Sequence, residues 1–220
     1  MKLICMIPAR LGSKRVKEKN LRRVGGRTLL GNAIWIANRV EAYDEVWVNT
    51  ADERLIEEAE YCGAQVHRRP AELSLPDTNV SFKREFCERH DDADYIVAQN
   101  PTSPLLEPKT AEAFCRMLVD GQYDTLHSVK REQAYFFDED WLPINFDFGE
   151  AKDTQDLPPV FRVVWALTGW KRTTFLADEC GVWAGRLGIV ELSEVEAIDI
   201  DTEHDLAVAQ CLMERQSAPA

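Results

Sequence analysis

The sequence predicts an α/β domain on a mostly parallel sheet, and three observations carry that expectation. Short apolar runs and helix-period stretches alternate from the first residues onward. Several helical stretches carry their own start or stop signals. The chain of 220 residues suits one globular domain, residues 1–220, with a sizeable core.

Residues 3–7 form an apolar run closed by Pro8, as expected of a buried strand. Residues 28–40 place Leu29, Leu30, Ala33, Ile34 and Ala37 at helical spacing. Residues 46–48 read as a second strand. Residues 52–62 follow as an amphipathic helix with Leu55, Ile56 and Ala59 on one face, stopped by Gly63. A helix over 82–90 and a strand over 95–98 come next. Pro108 opens a helix over 108–119, where a proline suits the first turn. Residues 125–129 form a strand.

Periodicity lapses between residues 130 and 160, in a stretch of aromatics, acids and prolines. Loops of that length are uncommon in compact domains unless they have a function. Phe136, Phe137, Trp141, Phe146 and Phe148 would expose much apolar area there. We expect a projecting arm that pairs with a second subunit, as in a homodimer; an active-site flap or ordinary packing are the alternatives. Residues 162–167 and 188–192 return to strand. A helix over 202–215 opens with Thr202 and Asp205, a capping box with Asp in place of Glu. Residues 216–220 are expected to fray.

The net charge is −12, from 26 basic and 38 acidic side chains, so the overall field repels polyanions and argues against nucleic acid as main partner. The six cysteines are scattered without a CxxC pair, which predicts reduced thiols and no zinc site. No leader-like start and no apolar run of membrane-spanning length is evident, so the expected location is the cytoplasm, away from membranes. His67, His90, His127 and His204 share no ligand spacing, and packing is the expected role of His67 and His127.

In this acidic chain, residues 7–20, IPARLGSKRVKEKN, concentrate basic side chains after the first strand. Ligands of open α/β folds bind at that carboxyl end. Gly12 permits close backbone approach or a positive φ. Ser13 offers a hydroxyl and an amide, and Arg10, Lys14 and Lys19 supply charge for phosphate oxygens. A purely connecting surface loop is the plainer alternative, and on either reading Lys19 is expected to be exposed. Neither GxxxxGK[ST] nor GxGxxG occurs. Asp199 and Asp201 alternate on an extended segment, so both carboxylates face one side. They suit Mg²⁺ beside phosphates, or else merely end a strand and cap a helix. Thr102 and Ser103 lie between prolines in a rigid turn, and Asn100 is available to a base or a sugar.

IPARLGSKRVKEKN resembles the signature of the cytidylyltransferases that make CMP-sialic acid, CMP-ketodeoxyoctonate and related CMP-sugar acids. NPTSPL at 100–105 and IDIDTEHDL at 198–206 are similar to two further segments of that family, in the same order. Gln155 to Pro159 resembles the stretch before its late strand. The resemblance implies a three-layer Rossmann-like nucleotidyltransferase fold, with helices on both faces of the sheet. It implies transfer of CMP from CTP to the anomeric hydroxyl of a sugar acid, with Mg²⁺. By the match, Ala9, Arg10, Gly12, Ser13, Lys14, Lys19 and Asn20 would hold the nucleotide. Asn100, Thr102, Ser103, Gln155 and Arg162 would meet the acceptor. Asp199 and Asp201 would hold the metal, and Arg10, Lys19 and Asp201 would serve catalysis.

The departures cluster away from the basic loop. Asn100 stands for a Gln, Leu106 for an Arg, Asn49-Thr50-Ala51 for Ser-Thr-Asp, and Val163-Val164-Trp165-Ala166 for a segment with Asn-Gly. Retained loop and Asp pair beside altered acceptor segments predict CTP and Mg²⁺ use with an acceptor other than standard sialic acid. Two alternatives are the same fold with another nucleotide or acceptor, such as a phosphonate or sugar phosphate, and a nucleotide-binding module without catalysis.

Overall fold

A computed structural model describes residues 1–74, 79–149 and 152–217. The chain runs β1 (Leu3–Pro8), β2 (Arg23–Val24), β3 (Arg27–Thr28), α1 (Leu29–Ala37), β4 (Glu45–Thr50), α2 (Glu53–Tyr61) and β5 (Gln65–Arg68). It continues through α3 (Asn79–Arg89), β6 (Tyr95–Gln99), α4 (Pro108–Val119), β7 (Thr125–Glu132), β8 (Val160–Lys171), α5 (Arg172–Ala177), β9 (Leu187–Glu191) and α6 (Glu203–Ser217). The seven-stranded sheet has the order β5-β4-β1-β6-β8-β7-β9. All its strands run parallel except β8, which is antiparallel to both neighbours.

The strand at the centre of this plan shows why the layers form. Along β1, Leu3, Cys5 and Ile7 enter one apolar cluster with α1, α2 and α4, while Ile4 and Met6 enter another with α3 and α5. A strand buried on both faces reads as an uninterrupted apolar run, as this one does. Gly169 on β8 lets α4 pack close, because a Cβ there would lie 2.7 Å from Leu118 and 2.9 Å from Phe114. The capping box of α6 forms: Asp205 N–H donates to Thr202 Oγ1, and Thr202 N–H donates back to Asp205 Oδ2 at 2.7 Å.

The structure corrects several expectations. β5 is a four-residue strand with a single apolar side chain, Val66, too sparse a pattern to be legible. The basic loop leads into a single turn and the β2–β3 ribbon before α1, instead of directly into a helix. Gly12 does not have a positive φ; the left-handed residue of the loop is Glu18, at φ 51°, held by Arg54 at 2.5 and 3.2 Å. In the 130–160 stretch, β7 extends to Glu132 and β8 begins at Val160. Between them Tyr135, Phe137, Phe146 and Phe148 pack edge to face, and Asn145 is buried, donating to the carbonyls of Ala134 and Pro158. Of the expected frayed end, residues 218–220 lie outside the described residues. Among the described residues no helix is long and apolar enough to cross a membrane.

One buried cluster outside the sheet's active edge sets a pH dependence. His67 Nδ1 lies 3.1 Å from His90 Nε2, and His67 Nε2 lies 2.8 Å from Glu85. Burial, and next the neighbouring His67, push His90 down to about 4. The folded chain therefore takes up this proton at lower pH than the unfolded chain, whose His titrates near ~6.5. Its contribution to stability is complete above that value and is lost as pH falls toward 4. We predict a loss on the order of 1–2 kcal/mol between pH 7 and 5. Urea unfolding at both pH values checks it, and His90→Phe should flatten the difference.

Candidate functional site

A cleft of about 510 Å³ opens at the carboxyl end of β1. Its walls come from the basic loop, the end of β5, α3, the turn after β6, β8 and Asp201. Asp201 is the one acid among the described lining residues, against Arg10, Lys14, Arg15, Lys19, Arg69 and Lys83. The cleft is thus a cationic patch in an acidic chain, as an anionic ligand requires.

The loop is held open by bonds to its own backbone. Asn20, 5% exposed, donates Nδ2–H to the Arg10 carbonyl at 3.0 Å. Leu11 N–H donates to Asp52 Oδ2 at 3.0 Å. Lys19 is a tether, not the exposed side chain expected: its Nζ donates to the Ile200 carbonyl at 2.5 Å and pairs with Asp201 at 3.2 Å. It lies within a loop whose other end must meet the C-terminal segment, and sequence distance hides that contact. Arg15, absent from the expected set, pairs with Asp201 at 2.9 Å.

The C-terminal segment is fixed from both sides. Ile200 N–H donates to the Thr102 carbonyl at 2.8 Å, and Asp201 N–H donates to Asp205 at 3.1 Å. Asp201 lines the cleft, whereas Asp199, expected on the same side, is not among the residues that line it. Burial raises Asp199, the Thr102 hydroxyl opposes this, and the Asp201 charge adds to it. Asp199 Oδ1 is buried without a hydrogen-bond partner. No group of three His, Cys, Asp or Glu side chains suited to a metal occurs among the described residues. Mg²⁺ is commonly bound by only one or two carboxylates plus substrate phosphates, and the cleft-lining Asp201 with the unpartnered Asp199 oxygen is a donor set of that type.

At the β4–β5 end of the cleft stands Arg69, 6% exposed. Its Nε–H donates to Asn49 Oδ1 at 2.5 Å and its Nη2–H to the Asn49 carbonyl at 2.7 Å, both neutral acceptors. It lies 4.1 Å over the Phe82 ring. Burial, then the charge of Arg10, lowers it to about 10. Asn49 is one of the departures noted above, and orienting Arg69 is what it does here. Lys83, also 6% exposed, lies 5.6 Å from the Phe82 ring and 5.8 Å from the Trp165 ring. Burial pushes it down to about 8.

The opposite wall is shaped by a bulge. Opposite β7 the register jumps from His127↔Thr168 to Val129↔Val163, so residues 164–167 of β8 face Ser128 alone. The Ser128 hydroxyl bridges the carbonyls of Val164 and Leu167 at 2.6 and 2.9 Å and accepts from Leu167 N–H. Asn100 supports the same turn, donating from its backbone to Ala166 and from its side chain to the Trp165 carbonyl. This arrangement puts Trp165 into the cleft, braced edge-on by His127 and Trp183 at 5.8 Å each.

Of the residues named from sequence, Ala9, Arg10, Gly12, Ser13, Lys14, Lys19, Asn20, Asn100, Thr102 and Asp201 line one cleft. Ser103 is buried beneath it, 2% exposed. Gln155 is exposed on the turn Thr154–Asp156, and Arg162 is exposed and pairs with Glu132 at 3.2 Å; neither lines the cleft. Sequence reasoning missed Arg15, Arg69 and Lys83. A lysine in a polar helix reads as a solvated face, and Arg69 directly follows a strand that was itself missed. The basic run Arg68-Arg69 before Pro70 was the one available signal.

A family model described as "Cytidylyltransferase" matches residues 4–157. N-acylneuraminate cytidylyltransferase A of Danio rerio is 34% identical over 215 residues, covering 93% of this chain and 49% of that protein. The chain spans about half the length of the first curated relatives it matches. A flagellin modification protein B of Campylobacter coli is 24% identical and is covered over 97% of its length, with 99% of this chain. Among solved structures, CMP:2-keto-3-deoxy-manno-octonic acid synthetase complexed with CTP superposes with a TM-score of 0.75 at 16% identity, over 98% of this chain and 100% of that one. At that identity the likeness supports the fold.

The bulge is testable by itself. Ser128→Ala leaves two buried carbonyls and one N–H short of a partner, and we expect a loss of about 1–3 kcal/mol. Denaturant unfolding measures the loss, and altered quenching of Trp fluorescence reports the displaced Trp165.

Proposed function

Because this chain belongs to the cytidylyltransferase family, we propose that it transfers CMP from CTP to a hydroxyl of a sugar acid or related acid and releases pyrophosphate. One observation carries the reading. Three segments far apart in sequence, the loop at 9–20, the turn at 100–102 and Asp201, meet in one cationic cleft beyond the carboxyl ends of β1 and β6. That is the switch point of this sheet, where α/β folds bind nucleotides.

Arg10, Ser13, Lys14 and Lys19 are assigned to the triphosphate, Arg in forks and Lys as point charges. The base is assigned to the β4–β5 end, beside Arg69 and Phe82. The acceptor oxygen attacks the α-phosphorus, a new P–O bond forms, the bond to the bridging β-oxygen breaks, and pyrophosphate leaves with that electron pair. The hydroxyl proton passes to solvent water in the open cleft as attack proceeds. Such a displacement asks mainly for positioning and for preorganised charge. Asp199 and Asp201 would hold Mg²⁺, and when bound it would supply charge neutralisation of the triphosphate and acidify the attacking hydroxyl. Lys19 and Arg15 exchange part of their pairing with Asp201 for phosphate when CTP enters.

The arm is assigned to a homodimer contact. Trp141 is 77% exposed and Phe148 73%, with Leu142 and Ile144 exposed beside them. A contiguous apolar patch of this kind marks an interface.

Asp201→Asn should lower turnover by roughly 10²-fold or more while CTP affinity changes far less, because the lost charge matters most as charge develops. Pyrophosphate release against calorimetric CTP binding separates the two, and survival of turnover would refute the metal assignment. Lys19→Ala should both weaken CTP binding and lower the melting temperature, since it removes a tether as well as a charge. A Trp141→Glu, Phe148→Glu double variant should sediment at half the wild-type mass with its unfolding midpoint little changed.

A further inference from the structure

A second hollow, of about 390 Å³, is walled by the β2–β3 ribbon, α1 and the end of α2, and shares no lining residue with the cleft. Arg23 and Arg27 enter it from the ribbon, and Arg39 from just beyond α1. The Arg27 and Arg39 guanidiniums lie 4.7 and 3.9 Å from the centroid of one ring, that of Trp35. Like charges thus gather around a single indole. Among the described residues no carboxylate pairs with any of the three arginines, whereas Arg22, just before the ribbon, is held by Glu203 at 2.7 Å. The bonds they do make use little of their capacity. Arg23 donates to the Gly26 carbonyl at 3.3 Å and Arg39 to the Trp35 carbonyl at 2.9 Å, one bond each from a group with five N–H donors. Glu58, the acid among the described lining residues, is engaged elsewhere through Oε1, which accepts from the Thr28 hydroxyl at 2.6 Å and the Cys62 thiol at 3.7 Å.

We propose that this hollow is a second ligand site, which takes a small phosphorylated polyol and is coupled to the cleft through the ribbon. The guanidinium forks match phosphate oxygens, and stacking on Trp35 holds two of them in place. Like charges brought together without a counter-charge repel, and an anion among them turns each repulsion into an attraction. Glu58 serves the rest of the ligand: its Oε2 makes no hydrogen bond among the described residues and accepts from a ligand hydroxyl. Tyr61, 88% exposed, offers a ring face at the rim. The volume lies in the range (roughly 300–1,000 Å³) used for one small ligand. A polyanionic chain is opposed by the net charge of −12. The coupling path is short. Arg22 N–H donates to the Lys19 carbonyl at 3.0 Å, and Leu29 N–H donates to the Arg22 carbonyl at 2.9 Å, so the ribbon is closed at its base on the turn that carries Lys19. An occupant that draws Arg23 and Arg27 together acts on that turn.

The test titrates the full chain with D-glucose 6-phosphate by calorimetry, in the presence of saturating CTP, with inorganic phosphate and glucose as partial ligands. Glucose 6-phosphate should bind at least about fivefold tighter than inorganic phosphate, and glucose alone should give no measurable heat. An Arg27→Ala, Arg39→Ala double variant should raise its Kd by about tenfold or more. Both side chains are exposed, so the fold should survive, which the melting temperature checks. The milder Arg27→Lys, Arg39→Lys variant keeps the charge without the forks and should fall between. In the reverse titration, glucose 6-phosphate should change the Kd of CTP by at least about fivefold, and the alanine variant should abolish that change. Absence of glucose 6-phosphate binding overturns the inference, as does binding that the alanine variant retains. Binding lost in an Arg10→Ala, Lys14→Ala variant but kept in the Arg27→Ala, Arg39→Ala one would put the probe in the cleft and overturns it too. Equal affinity for inorganic phosphate overturns the polyol assignment, and an unchanged Kd of CTP overturns the coupling.

Discussion

Lys19 joins the two ends of the chain. Its ammonium lies against the carbonyl of Ile200 and the carboxylate of Asp201, 181 and 182 residues away, with only 14% of its side chain exposed. A charge-assisted bond of this kind is stronger than a neutral one, and here it is also partly shielded from water. Through it the basic loop and the C-terminal segment become one wall. Ile200 then reaches Thr102, Asp201 reaches Asp205, and the capping box of α6 locks the segment to the helix that follows. Without that junction the loop would be a basic surface turn and Asp201 an ordinary helix-start acid.

The cleft also shows how buried charge is accommodated in this fold. Arg69 and Lys83 are each 6% exposed, and both have their ionisation eased downward by burial. Arg69 keeps its charge through two bonds to Asn49, a residue with no exposed surface. Fixing Arg69 in this way costs stability and keeps its charge directed into the cleft. Ser128 follows the same logic on the opposite wall. One hydroxyl serves three backbone groups and so makes a four-residue bulge tolerable inside a sheet.

The basic loop was legible because charge is conspicuous in an acidic chain and because ligands of open α/β sheets sit at strand ends. The Thr202–Asp205 box was legible because capping is local. Arg69, Lys83 and Arg15 were not, for a shared reason. Each is a basic residue whose local pattern reads as solvated surface, and each enters the cleft only because distant elements close over it. Gln155 and Arg162 show the opposite case: local likeness put them forward for the acceptor, and chain folding leaves them exposed on the arm and on β8, outside the lining of the cleft.

By itself, then, the sequence determined the layers. The uninterrupted apolar run of β1 demands cover on both faces, and the periods of 2 and 3.6 assign most of what flanks it. It also marked residues 10–20 as a cationic stretch, since no neutralising acids stand there except Glu18. Only the tertiary structure decided which cations share a cleft, which way β8 runs, and that Trp165 points inward. Those facts depend on contacts such as Ser128 to Val164 and Lys19 to Ile200, across 36 and 181 residues. No local periodicity encodes a hydrogen bond at that separation.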